Sequence, residues 1–192
     1  MKKEILLDKL RRNTREQYDM PNMQIDATTY DDTYQAFLNI CNIVGARVVE
    51  NAHFEDIDNI IRDVYPQAKN ITSHLSYVSS TANSDTAIDA KDLNGTDVGV
   101  VEGEIGVAEN GCIWVPQTMK ERAVMFISEN LVIVLRKSNI VNNMHEAYSR
   151  IRMTDYGYGC FISGPSKTAD IEQALVMGAQ AACDVTVAII DD

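Results

Sequence analysis

Two short stretches hold residue types that could do chemistry. Ser163 to Glu172 reads S-G-P-S-K-T-A-D-I-E, and Gly106 to Gly111 reads G-V-A-E-N-G. In the first, the apolar run Cys160-Phe161-Ile162 leads into Gly164-Pro165, and Ile171, Ala174, Leu175 and Gly178 follow at spacings that share one helical face. The pattern predicts a strand that passes into a helix through a turn carrying the hydroxyls of Ser166 and Thr168. A helix start presents unpaired N–H groups and a positive dipole end, which suits a small anion. On that reading Gly164, Ser166, Thr168 and Asp170 contact a ligand. The same residues also fit plain capping, with Thr168 as N-cap and Asp170 complementing the dipole, and Asp170 and Glu172 would repel an anion.

The second stretch lies in a glycine-rich middle. Gly95, Gly99, Gly103, Gly106 and Gly111 are half of the ten glycines, packed between two apolar runs. Glu109 followed by Asn110-Gly111 predicts a turn that aims one carboxylate from a strand end, where open α/β sheets bind ligands. Such a carboxylate serves as general base, nucleophile or hydrogen-bond acceptor, with Asn110 and Gly111 beside the ligand. The competing reading is a plain hairpin turn with a solvated Glu109.

Other chemistries lack their residues. No G-x-x-x-x-G-K-[ST] and no G-x-G-x-x-G occurs. His145-Glu146 begins a metalloprotease-like pair, but Ser149 stands where the second His belongs. Cys41, Cys112, Cys160 and Cys183 form no C-x-x-C pair, and their apolar contexts predict buried free thiols. No metal site and no cofactor held by this chain is expected.

The elements that would position the two stretches alternate between helix and strand. Helices are predicted over 4–16, from Asp31 or Asp32 to Val44 with Gly45 as terminator, over 55–65 and over 142–152. Strands are predicted over 46–50, 70–74, 97–101, 112–115, 130–136 and 185–190, and the polar stretch 79–96 as a loop. The alternation predicts an α/β fold with a mainly parallel sheet. Residues 1–30 are expected to form an N-terminal helix and connector, and 31–192 a single α/β domain.

Seventeen basic against twenty-eight acidic side chains give a net charge of −11, which disfavours nucleic acid as a partner. Charge interrupts the first eight residues too early for a signal peptide, and no apolar run approaches a membrane span. A cytoplasmic protein is expected.

Taken together, Val107 to Gly111 and Gly164 to Glu172 resemble the LUD-domain family, and more closely its lactate-utilisation protein C branch. That branch carries I-A-E-T-G and G-P-S-x-T-A-D-I-E segments; Asn110 departs from its usual Thr or Ser. The resemblance implies a three-layer α/β/α sandwich similar to sugar-phosphate isomerases and coenzyme A transferases. It also implies a non-cluster subunit that acts in L-lactate oxidation to pyruvate, holds a lactate- or pyruvate-like anion, and works beside partner subunits carrying iron–sulfur clusters. Two other functions stay open: a stand-alone isomerase or transferase acting on a sugar phosphate or coenzyme A thioester, and a non-catalytic structural or regulatory protein.

Overall fold

The strand 130–136 is apolar at every interior position, as a strand covered on both faces must be. In the computed structural model, which describes residues 3–13, 19, 25–153, 156–171, 174–178 and 180–191, it is β6 (Asn130–Arg136) and lies at the centre of a five-stranded parallel sheet. The sheet order is β1 (Arg47–Ala52), β11 (Asp184–Ile190), β6, β3 (Val98–Gly103) and β2 (Ile71–Thr72). Alternation along the strands splits the core in two. Leu131, Ile133 and Leu135 join Val101, Val185, Val187 and Ile189 on one face. Val132 and Val134 join Val98, Val100, Ala188 and Ile190 on the other.

Strand order also decides what covers each face. After β1 the chain crosses the whole sheet to β2; from there β3, β6 and β11 follow as adjacent strands stepping back towards β1. Parallel crossovers are right-handed, so the first crossover and the later ones fall on opposite faces. Accordingly α3 (Ile57–Val64), preceded by a 3₁₀ turn over Phe54–Asp56, packs Ile57, Ile60 and Ile61 into the second core. The opposite face meets α2 (Thr33–Val44), α4 (Val124–Ile127) and a second sheet. That second sheet has the order β7 (Ile140–Val141), β4 (Ile105–Val107), β5 (Cys112–Pro116) and β8 (Gly159–Ile162). Its far side is closed by α5 (Met144–Arg150), with Ala147 packed against Val107 and Trp114.

The mixed α/β fold with a parallel central sheet flanked by helices is as the sequence predicts. The second sheet is an addition: β4 and β7 are too short to leave an alternating pattern. Helix α2 follows the sequence closely. Gln35 N–H donates to the Asp32 carboxylate (2.9 Å), and Gly45 ends the helix at φ +86°. Helix α1 (Lys3–Asn13) buries none of its residues. Among the described residues no helix is long and apolar enough to cross a membrane.

The helix predicted after the Ser163 turn is not formed. After the Ser163 turn the chain forms β9 (Lys167–Ile171) and β10 (Ala174–Met177), paired antiparallel, where the spacing predicts a helix. Ile171, Ala174 and Leu175 fit two short strands as well as one helical face, and strand pairing, which spacing cannot register, decides between them. The helix start, and with it the dipole argument for an anion, is absent from this turn; Thr168 and Asp170 lie within β9.

Candidate functional site

The structure brings the two motif stretches together. Residues 108–111 turn β4 into β5, and Ser163 follows β8, the neighbour of β5, so register places the turns side by side. Ser163 Oγ donates to the Asn110 carbonyl oxygen (2.9 Å). Each turn rests on a glycine in left-handed conformation. Gly111 has φ +65°, with Ile40 Cγ2 only 2.9 Å from where a Cβ would sit; Gly164 has φ +62°, with the Val44 carbonyl oxygen at 2.5 Å.

The polar groups of these turns have structural partners. Glu109 is exposed and accepts from Met144 N–H (3.0 Å) at the start of α5. Asn110 Oδ1 accepts from Cys112 N–H (3.1 Å) within its own turn. Ser166 N–H donates to the Ala182 carbonyl and its own carbonyl accepts from Gly178 N–H, both at 2.9 Å. Lys167 Nζ donates to the Val44 carbonyl. Residues 108–111 form a hairpin turn, and the Glu109 carboxylate bonds the first N–H of a neighbouring helix. A cavity of about 330 Å³ lies under Ser163–Ser166, walled by Met125, Phe126, Leu131, Phe161 and Val185. Leu131 and Val185 begin their strands, so this cavity marks the amino end of the parallel sheet.

A second cavity, of about 340 Å³, opens at the carboxyl end. Glu102 and Glu104 reach it from the end of β3, Arg136 from the end of β6, and Thr118, Asn139 and Tyr156 from the loops beyond. Ligands of open α/β sheets bind at this end. Trp114 Nε1–H donates to the Tyr156 hydroxyl (3.2 Å), which donates to Glu104 Oε2 (3.1 Å). The Arg136 guanidinium lies 4.9 Å from the Phe54 ring centroid, and Phe54 packs against Tyr77 at 4.8 Å. His74 Nε2 bonds the Thr118 hydroxyl (3.1 Å).

Beside this cavity the Tyr77 hydroxyl and His74 Nδ1 are buried with no hydrogen-bond partner among the described residues. Burial and the negative charge of Glu102 push the Tyr77 phenol up, although Arg136 pulls the other way. Burial lowers the His74 imidazole below its ordinary value, against the pull of Asp85 and Glu102. Both therefore stay neutral near pH 7. Sequence reasoning passes over this group of residues because they form no motif. The available signal is positional: charged residues at the carboxyl ends of two apolar parallel strands.

Cys41 and Cys112 are buried, and burial pushes both thiols up to about 12. Cys160 is half-buried. Cys183 is exposed, which corrects the expectation that it is buried. Among the described residues no three His, Cys, Asp or Glu side chains gather where a metal ion would be held.

Residues 73–190 match the LUD domain family model. Lactate utilization protein C of Shouchella clausii (strain KSM-K16) is 34% identical over 102 residues, 50% of this chain and 44% of that protein. The protein of that name from Geobacillus kaustophilus (strain HTA426) is 28% identical over 141 residues, 69% of this chain and 56% of that one. The chain thus spans about half the length of the curated relatives it matches. The crystal structure of a DUF162 family protein from Deinococcus radiodurans shares the fold, with a TM-score of 0.62 at 13% identity, over 85% of this chain and 99% of that chain.

Proposed function

The chain belongs to the LUD domain family, and from that premise we propose that it serves lactate utilisation as the cluster-free subunit of an iron–sulfur complex that oxidises L-lactate to pyruvate. The observation that carries this reading is the joining of both family turns, which lie inside the matched region, through the Ser163–Asn110 hydrogen bond. The relatives named for lactate utilisation support the process. In this reading the redox centres sit on partner subunits, the chain works in the cytoplasm, and its own task is to hold the small acid.

The phosphate-handling alternative meets unfavourable charge. Lys167 is drawn to a main-chain carbonyl, and the Arg136 guanidinium at the carboxyl-end cavity is accompanied by two carboxylates. A sugar phosphate or coenzyme A ester would bring further negative charge to either place.

Deleting the coding sequence from the native host, and restoring it with an affinity tag, tests the proposal. Loss of growth on L-lactate alone, with iron–sulfur proteins co-purifying on the tag, is the expected result. Undiminished growth on L-lactate after deletion would overturn it.

A further inference from the structure

We propose that helix α1 docks on the acid-rimmed apolar surface around Ile88 and Phe126 of a second copy of this chain, each copy giving one helix and receiving one.

Helix α1 has eleven residues and buries none of them. A helix that short is marginal in water unless its apolar side packs on something. Leu6, Leu7 and Leu10 stand three and four residues apart and form a stripe, with Ile5 at its edge. These four side chains are 38–57% exposed. Lys3 stands in line with the stripe, and Lys9 lies one turn from Ile5 and Leu6. Glu4 and Asp8, one turn apart, fall on the other side of the helix, where Asp8 pairs with Arg11 (3.4 Å). Residues 3–13 carry four basic against two acidic side chains, in a chain whose net charge is −11. The docking side of the helix is therefore apolar and bordered by lysine.

The surface that matches it lies on both sides of the 3₁₀ turn Ala90–Leu93. A hollow of about 500 Å³ on one side is lined by Ala87, Ile88 and Leu93, and one of about 480 Å³ on the other by Ala90, Phe126 and Ile127. Ile88 is 90% exposed and Phe126 39%. Residues 80–93 hold three aspartates, Asp85, Asp89 and Asp92, against one lysine. The nearby cations are turned to partners of their own. Lys91 lies 3.5 Å from Asp89, Lys120 Nζ donates to the Ala87 carbonyl (3.0 Å), and the Arg122 guanidinium lies over the Tyr158 ring (4.5 Å). This surface is therefore apolar and bordered by aspartate.

Charge selects the occupant. Two copies at −11 repel each other, so they can meet only where unlike charges face. Lysine-bordered α1 against the aspartate-bordered hollows is such a meeting, and one chain carries both halves of it. An exchange of helices about a two-fold axis closes on itself and makes the contact twice. Each contact then needs only half of the roughly 1,200–2,000 Å² that a stable interface buries. The mode is that of an amphipathic helix laid into an apolar groove.

Sedimentation velocity on the purified full chain tests this. Wild type should sediment with about twice the mass of one chain. Leu6→Glu with Leu7→Glu, which keeps good helix formers and brings acid to acid, should sediment as a monomer. Ile88→Lys with Phe126→Lys, which brings base to base, should do the same. Thermal melts check that both variants fold. Lys9→Glu with Arg12→Glu removes no apolar contact and should weaken the dimer by about tenfold or more. Mixing the helix variant with the surface variant leaves one intact contact, so dimers should reappear in the mixture at concentrations where each variant alone is monomeric.

A monomeric wild type would overturn the proposal; if the helix variant then melted lower, α1 would be docked on its own chain. A helix variant that stays dimeric would overturn it as well. A surface variant that stays dimeric while the helix variant falls apart would place α1 against another surface, and a mixture that stays monomeric would rule out the exchange. None of these outcomes bears on the lactate reading, which the deletion strain tests.

Discussion

The two ends of the parallel sheet are built from different materials. At the amino end, where the family turns meet, nearly every bond engages the main chain: Ser163 to the Asn110 carbonyl, Ser166 N–H to Ala182, Gly178 N–H to Ser166, Lys167 to Val44. At the carboxyl end side chain meets side chain: Trp114 to Tyr156, Tyr156 to Glu104, His74 to Thr118, Arg136 over Phe54. Main-chain geometry of this kind needs particular residues at consecutive positions, because only glycine takes a left-handed turn at low cost under a close carbonyl. A cluster of side chains can be gathered from distant elements. The difference teaches that a contiguous motif can mark a shape while the ligand chemistry lies in residues spread along the chain.

The largest effect that would sharpen this contrast comes from Gly164→Ala. The new Cβ would need a left-handed φ of +62° and would lie 2.5 Å from the Val44 carbonyl oxygen. A loss of about 2–4 kcal/mol in denaturant unfolding is expected, from the left-handed strain and the overlap together. Glu102→Gln at the other end should stay within about 0.5 kcal/mol of wild type. Comparable losses at both ends would break the comparison.

That division of labour explains what the sequence discloses. The capping of α2 by Asp32 and Gly45 is local chemistry, and both ends of that helix are readable from single residues. The apolar run of β6 is readable because burial on both faces removes any need for alternation. The β9–β10 pair is not, since Ile171, Ala174 and Leu175 satisfy a helical stripe and two short strands alike. The two turns are legible because their shape is specified consecutively. The grouping of Glu102, Glu104, Arg136 and Tyr156 is invisible without the strand order, which brings β3 beside β6.

A smaller effect should follow from Ser163→Ala. It deletes the hydroxyl that bridges the turns and leaves the Asn110 carbonyl near solvent, so about 0.5–1.5 kcal/mol is expected in the same unfolding experiment. Smaller again is Glu109→Gln, which keeps an acceptor for Met144 N–H but removes the negative charge from the start of α5, worth about 0.3–1 kcal/mol. If Glu109 were a reacting group instead, its Gln variant would leave stability alone and abolish lactate-dependent growth.

The subtlest difference between the ends is one of proton uptake. His74 sits at the carboxyl end, bonded to Thr118, with burial lowering its pKa and Asp85 and Glu102 partly restoring it. A lowered native pKa means that, as pH falls below the ordinary value of 6.5, the unfolded chain takes up a proton before the folded one does. The stabilisation is therefore complete above that value and is lost as pH falls through the native pKa. Thermal melts between pH 7.5 and about pH 5, above the range where most carboxylates titrate, read this contribution. Wild type should lose stability faster than His74→Gln as the pH drops, while Ser163→Ala should follow the wild-type slope at a constant offset. A parallel slope in His74→Gln would mean that the imidazole takes its proton as readily in the folded chain as in the unfolded one. Glu102 and Asp85 would then offset the burial of the imidazole in full.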